Sequence, residues 1–219
     1  MKVPPRLIVA LDQPDLPKAD ALAAKLSDKV AAFKIGLTLF SAYGPQAVGD
    51  IARHGRVFCD LKFHDIPQQV GSAAAEMARL GVWMFTVHAS GGSAMVEAAV
   101  KGAGGERGTA LVAAVTVLTS LKDGRLVEDL AETAVSSGAQ ALVCSAREAA
   151  KLRARFGERT LLVVPGIRRA SEEPADQERT ATPEQAAQAG ADYVVVGRPI
   201  TQAADPGAAA DGILKGLGW

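Results

Sequence analysis

The chain has 219 residues, 48% of them hydrophobic, which is enough to bury a large core in one sizeable domain. Twenty-four basic and twenty-four acidic residues cancel to a formal net charge of zero. That balance excludes the basic excess of a nucleic-acid binder, although single cations could still grip a small anion.

Taken in chain order, short apolar runs alternate with polar, alanine-rich stretches of helical length. RLIVAL (6–11) opens the series, and LPKADALAAKLSD follows with apolar positions at helical spacing. VAAFKIG (30–36) and RVFCDL (56–61) are the next two strand candidates. PQQVGSAAAEMARLG then reads as a helix that opens after Pro67 and stops near Gly81. GVWMFTV (81–87), TALVAAVTV (109–117), ALVCS (141–145) and TLLVVP (160–165) continue the strands. In TPEQAAQAG, Thr182 can cap, Pro183 takes the first helical position and Gln185 can complete a capping box. DYVVVG (192–197) is the eighth apolar run, and DPGAAADGILKGLG reads as a last helix from near Pro206.

Most of these runs are continuous rather than alternating, as parallel strands covered on both faces should be. Eight strands alternating with helices predict an α/β fold, a closed (β/α)8 TIM barrel, as one domain over 1–219. An open doubly wound sheet is the alternative. Against it, strand one runs into ALDQPD, where a dinucleotide fold would place GxGxxG. No apolar run reaches the ~18 residues of a membrane span, and MKVPPRLIVALD is too short and proline-broken for a signal peptide. Cys59 and Cys144 both lie in apolar runs, as buried thiols in a reducing compartment would. The expectation is a cytoplasmic protein with neither membrane nor nucleic-acid partners.

Barrel chemistry gathers at the carboxyl ends of strands, and the charges gather there too. Asp12 follows the first strand, Lys34 lies late in the second, Asp60 and Lys62 finish the third, and Asp65 sits in the loop beyond. If Asp60 and Lys62 both stay extended, they point to the same side. An active site is the reading that best explains so many charges at one end, against a buried ion network that only closes the barrel. A divalent cation on Asp60 and Asp65 is a further alternative, but Lys62 between them competes for the carboxylates. His54, His64 and His88 are scattered and form no zinc motif.

From Pro165 to Ala181 the chain reads PGIRRASEEPADQERTA, a polar segment with no obvious helix. Connections this long are commonly functional, so a flap over a ligand is expected. Just past strand eight, Gly197 permits close backbone approach and Arg198 can fork onto phosphate oxygens. In many barrels phosphate binds at the loops after strands seven and eight.

LIVALD, FKIG, DLKFHDIP, LTS, PGIR, DQ and VGRPIT, in this order from Leu7 to Thr201, resemble the motif series of the orotidine 5'-phosphate decarboxylase family. DLKFHDIP is the most specific of them. The resemblance implies loss of carbon dioxide from orotidine 5'-monophosphate to give uridine 5'-monophosphate, with no metal and no organic cofactor. It implies catalytic positions at Lys34, Asp60, Lys62 and Asp65, in a homodimer where Asp65 reaches the neighbouring site. It also implies substrate binding by Asp12 and Lys34 around the ribose, by Ile66, by Thr119 near the pyrimidine, by Arg168 and Gln177 of a closing phosphate loop, and by Gly197 and Arg198. The chain departs from the pattern at Gln69, where a threonine is expected before the valine. Two rivals stand beside this reading: a metal-dependent phosphosugar enzyme on a similar barrel, and a non-catalytic nucleotide-binding scaffold.

Overall fold

Eight parallel strands close into a barrel in sequence order, which settles the choice against an open sheet. A computed structural model describes residues 6–104, 110–118, 126–168 and 180–218. The strands are β1 (Leu7–Ala10), β2 (Ala32–Gly36), β3 (Val57–Phe63), β4 (Met84–His88), β5 (Leu111–Val115), β6 (Ala141–Val143), β7 (Leu161–Val164) and β8 (Tyr193–Val196). β8 pairs with β1, so no strand edge is left open. Around them lie α1 (Leu16–Leu26), α2 (Leu37–Tyr43), α3 (Pro45–Ala52), α4 (Pro67–Arg79), α5 (Ser93–Ala103), α6 (Val127–Ser136), α7 (Ala146–Phe156), α8 (Pro183–Gln188), α9 (Arg198–Thr201) and α10 (Pro206–Gly216).

The helix starts follow their caps. Thr182 and Gln185 form the reciprocal box expected of them, with Gln185 N–H donating to Thr182 Oγ1 at 3.3 Å and Thr182 N–H to Gln185 Oε1 at 2.9 Å. Asp205 caps α10 by accepting from Gly207 N–H at 2.9 Å, and Asp15 caps α1 by accepting from Lys18 N–H at 3.1 Å. α7 has a second capping box, Ser145 with Glu148. The β2–β3 connection carries two helices, α2 and α3, which meet at Gly44 in the left-handed region with φ of 54°. No described helix is long and apolar enough to cross a membrane.

Two apolar compartments explain the continuous runs. The outer faces of the strands, among them Leu7, Val9, Phe33, Ile35 and Phe85, pack beneath the helices. The inner faces fill the barrel with Ile8, Ala32, Phe58, Met84, Ala113 and Val163. Both faces are dry, so neither pattern alternates with polar residues. Each large buried side chain contributes roughly 1.5–3 kcal/mol. At the amino-terminal end, Trp83 meets Tyr193 edge-on at 5.2 Å and Arg56 stacks 5.6 Å from the Trp83 ring.

Inward positions recur every second residue along a strand. Two residues beyond Ala32, Phe58 and Met84 come Lys34, Asp60 and Thr86. The apolar filling therefore stops at the carboxyl-terminal mouth, and polar side chains take over there.

Candidate active site

A cavity of about 610 Å³ opens at that mouth, bordered by Asp12, Lys34, Asp60, Lys62, Arg168 and Arg198 among others. Its floor is a row of alternating charges. Lys34 Nζ donates to Asp12 Oδ1 at 2.8 Å and lies 3.5 Å from Asp60 Oδ2. Lys62 Nζ donates to Asp60 Oδ1 at 2.8 Å. The Lys34 stem is buried, while Asp12 keeps about half of its side chain (51%) in solvent. Gly36, the last residue of β2, makes room for this pair: a Cβ there would lie 2.3 Å from Asp12 Oδ1 and 3.0 Å from Lys34 Nζ.

Lys62 corrects the expectation of an extended strand. β3 continues to Phe63, but Lys62 has φ of 54°, the only positive value at a non-glycine among the described residues. The β3–β4 register explains it. Cys59 pairs with Phe85, and the next pair is Phe63 with Val87. β3 thus spends four residues where β4 spends two, and the surplus bulges toward the mouth. Asp60 and Lys62 still meet, but through this bulge rather than through simple alternation.

Burial is the strongest single influence on Asp60 and opposes its ionisation. The fields of Lys34 and Lys62, with hydrogen bonds from Lys62 and Thr86, outweigh it and hold the carboxyl below its ordinary value. Thr86 Oγ1 donates to Asp60 Oδ1 at 3.0 Å. Burial, with a smaller push from Asp60, drives the Cys59 thiol up to about 12, so it stays protonated behind the site. His64 and His88 pack ring to ring at 5.3 Å. Burial lowers the His88 value, and His64 and Lys62 lower it further. His54 belongs elsewhere: it hydrogen-bonds Asp20 at 2.8 Å.

Asp65 and Ile66 do not line the cavity. Both are exposed, Ile66 with 60% of its surface accessible, and Asp65 Oδ1 accepts from Ile66 N–H at 2.6 Å. Gln69 is exposed in the first turn of α4.

The opposite side of the cavity carries the cations expected for phosphate. Gly197 and Arg198 stand where β8 passes into α9. Across from them, the ends of the long 165–181 connection are joined: Ile167 bridges Ala181, Arg168 N–H donates to Ala181 O at 3.0 Å, and Ala181 N–H to Gly166 O at 3.1 Å. Arg168 Nε is buried without a hydrogen-bond partner, a condition an anion would relieve. Thr119 and Gln177 lie outside the described residues.

No group of three or more His, Cys, Asp or Glu is placed to hold a metal ion among the described residues. The Asp60 oxygens face Lys34, Lys62 and Thr86 instead. Sequence reasoning missed Thr86 and the Gly36 clearance, as well as Gln13, Thr38 and Gln202 on the cavity wall. Thr86 was within reach of it: counting inward positions from Met84 leads to Thr86, as counting from Phe58 leads to Asp60.

Comparison with known proteins finds similarity along nearly the whole chain. The family model described as the orotidine 5'-phosphate decarboxylase / HUMPS family matches residues 5–213. The orotidine 5'-phosphate decarboxylase of Halorhodospira halophila is 47% identical, over 96% of this chain and 94% of its own. That of Anaeromyxobacter sp. strain K is 48% identical, over 99% of this chain and 100% of its own. The crystal structure of orotidine 5'-phosphate decarboxylase from Lactobacillus acidophilus superposes with a TM-score of 0.83 at 35% identity, covering 99% of this chain and 100% of that one.

Proposed function

The chain belongs to the orotidine 5'-phosphate decarboxylase / HUMPS family, and from that premise we propose how its cavity converts orotidine 5'-monophosphate to uridine 5'-monophosphate and carbon dioxide. The reaction is a lyase step in making uridine nucleotides. The bond between C6 of the pyrimidine and its carboxylate breaks, carbon dioxide leaves, and the electron pair stays on C6. No ring position delocalises that pair well, so its stabilisation must come from a fixed positive charge. The Lys62 ammonium supplies it and then passes a proton to C6. The amine left behind regains a proton from water.

The observation that carries this reading is the Asp12–Lys34–Asp60–Lys62 row, with successive contacts of 2.8, 3.5 and 2.8 Å along one side of the cavity. Asp60 faces the substrate carboxylate, and its contact with Lys62 fixes the ammonium before substrate arrives. Lys34 and Asp12 hold the ribose, and Thr119 and Ile66 complete the nucleotide site. Arg168, Gln177, Gly197 and Arg198 take the phosphate; the partnerless Arg168 Nε supports this assignment. Phosphate binding far from C6 supplies binding energy that organises the reacting centre.

A second copy of the chain completes the site. Asp65 lies outside its own cavity beside the exposed Ile66, so in a homodimer it extends the charge row of the neighbour. Cytoplasmic action is supported by Cys59 and Cys144, both buried thiols. The reaction needs no metal, because ammonium groups occupy the position a cation would take on Asp60. The test is loss of orotate ultraviolet absorbance when purified protein, exhaustively treated with chelator, meets orotidine 5'-monophosphate. Turnover should persist. Complete loss, restored by magnesium, would overturn the cofactor-free mechanism.

A further inference from the structure

Lys62 has to hold an ammonium in place from a strained stretch of backbone, and the bulge alone does not fix it. A left-handed conformation at a non-glycine residue costs on the order of 1 kcal/mol and persists only where neighbours enforce it. At this bulge β3 leaves the β4 ladder between Cys59 and Phe63, so the Lys62 N–H has lost its place in regular strand pairing. It donates instead to Thr86 Oγ1 at 2.8 Å. Thr86 is fully buried on β4, and the same hydroxyl donates to Asp60 Oδ1 at 3.0 Å.

A hydroxyl has one hydrogen to give and lone pairs with which to accept. The Lys62 amide can only donate, so it takes a lone pair. The single Thr86 hydrogen is then free for the carboxylate, which in its ionised form can only accept. Donor and acceptor roles are therefore fixed along Lys62 N–H, Thr86 Oγ1 and Asp60 Oδ1. The same Asp60 oxygen also receives Lys62 Nζ at 2.8 Å, so one hydroxyl joins the backbone and the side-chain partner of the same lysine.

We infer that Thr86 is the positioning residue of this site, its hydroxyl locking the left-handed Lys62 backbone to the Asp60 carboxylate so that the ammonium is aimed before substrate binds. This rests on the reading of the cavity as the decarboxylation site. Thr86 acts through the Lys62 amide and the Asp60 carboxylate, not through the substrate. Its loss should slow the chemical step and leave nucleotide binding nearly intact, since the phosphate and ribose contacts lie on other strands.

The experiment compares Thr86→Val, which keeps the shape without the hydroxyl, with Thr86→Ser, which keeps the hydroxyl without the methyl. In Thr86→Val, kcat should fall about 10- to 100-fold, the range set by one hydrogen bond to a charged group, with KM within about 3-fold. Thr86→Ser should recover most of that loss. Hydrogen exchange at the Lys62 amide, read by NMR, should accelerate at least 10-fold in Thr86→Val and stay near wild type in Thr86→Ser. If Thr86→Val does not fold, Thr86→Cys replaces it, its thiol being a weak donor and acceptor. Turnover in Thr86→Val within 3-fold of wild type, a Ser variant as slow as the Val variant, or unchanged Lys62 exchange would each overturn the inference. A wild-type protein without turnover would overturn the decarboxylase reading instead, and the exchange comparison would still decide the role of Thr86.

Discussion

Replacing Gly36 by alanine should separate the chemistry of the charge row from its contribution to stability. The Gly36 backbone is extended, with φ of −93° and ψ of −175°, so alanine fits it without strain. The added methyl would stand 2.3 Å from Asp12 Oδ1, more than an ångström inside ordinary contact, and 3.0 Å from Lys34 Nζ. Asp12 is half exposed and can swing into solvent, whereas buried Lys34 cannot follow it. Lys34 keeps Asp60 at 3.5 Å, so no buried charge is left unpaired, and losing half-exposed Asp12 costs on the order of 1 kcal/mol. The glycine-to-alanine gain in the unfolded chain, about 0.4–1 kcal/mol, offsets it. Net stability should therefore stay within about 1 kcal/mol of wild type, and Tm within ~4 °C. Turnover should not survive so well, because Asp12 and Lys34 would no longer be set for the ribose and for Asp60. A displaced preorganised group costs on the order of 100-fold in kcat/KM. Orotate absorbance and calorimetry on one preparation supply both numbers. Turnover within 3-fold of wild type would refute the need for the Asp12–Lys34 pair, and a Tm drop beyond 10 °C would show that the methyl disrupts the fold rather than the pair.

Lys62→Ala should lower kcat at least 1000-fold, on the order of losing a transition-state charge partner, while calorimetric affinity for uridine monophosphate stays within about 10-fold. Near-wild-type turnover there would reject Lys62 as the proton donor. If Asp65 acts across a dimer as proposed, mixing inactive Lys62→Ala and Asp65→Ala proteins should restore part of the activity, because one of the two sites in a hybrid would be intact. No recovery despite demonstrated subunit exchange would count against a shared site. Asp60 ionises below its ordinary value of 3.8 in the fold, so its charge stabilises the protein at pH above 3.8, and that contribution is lost as pH falls through the folded-state value. Urea midpoints of wild type and Asp60→Asn should therefore differ at pH 6, and the gap should begin to shrink only as pH falls below 3.8; a gap that stays constant to pH 3 would contradict the pairing.

Much of the site was legible because its signals are local. Lys34, Asp60 and Lys62 each stand at the end of an apolar run, where charge is costly to bury and therefore conspicuous. Thr182 and Gln185 announced α8 because a capping box needs only four consecutive residues. The α2–α3 pair in 37–52 was less visible, since no polar side chain caps either helix and only Gly44 and Pro45 mark the boundary. His64 and His88 looked scattered because their ring contact depends on two strands and the loop beyond one of them.

By itself the sequence determined the order of eight strands and the charged residues that stand at their carboxyl ends. These follow from burial and periodicity, which act over a few residues at a time. Only the tertiary structure decided that Lys62 leaves the extended conformation, that Gly36 clears the space the Asp12–Lys34 pair fills, and that Thr86 ties Lys62 to Asp60. Each of these depends on register between strands that are distant in sequence. A shift of two residues between β3 and β4 has no local signature, yet it sets where the ammonium points.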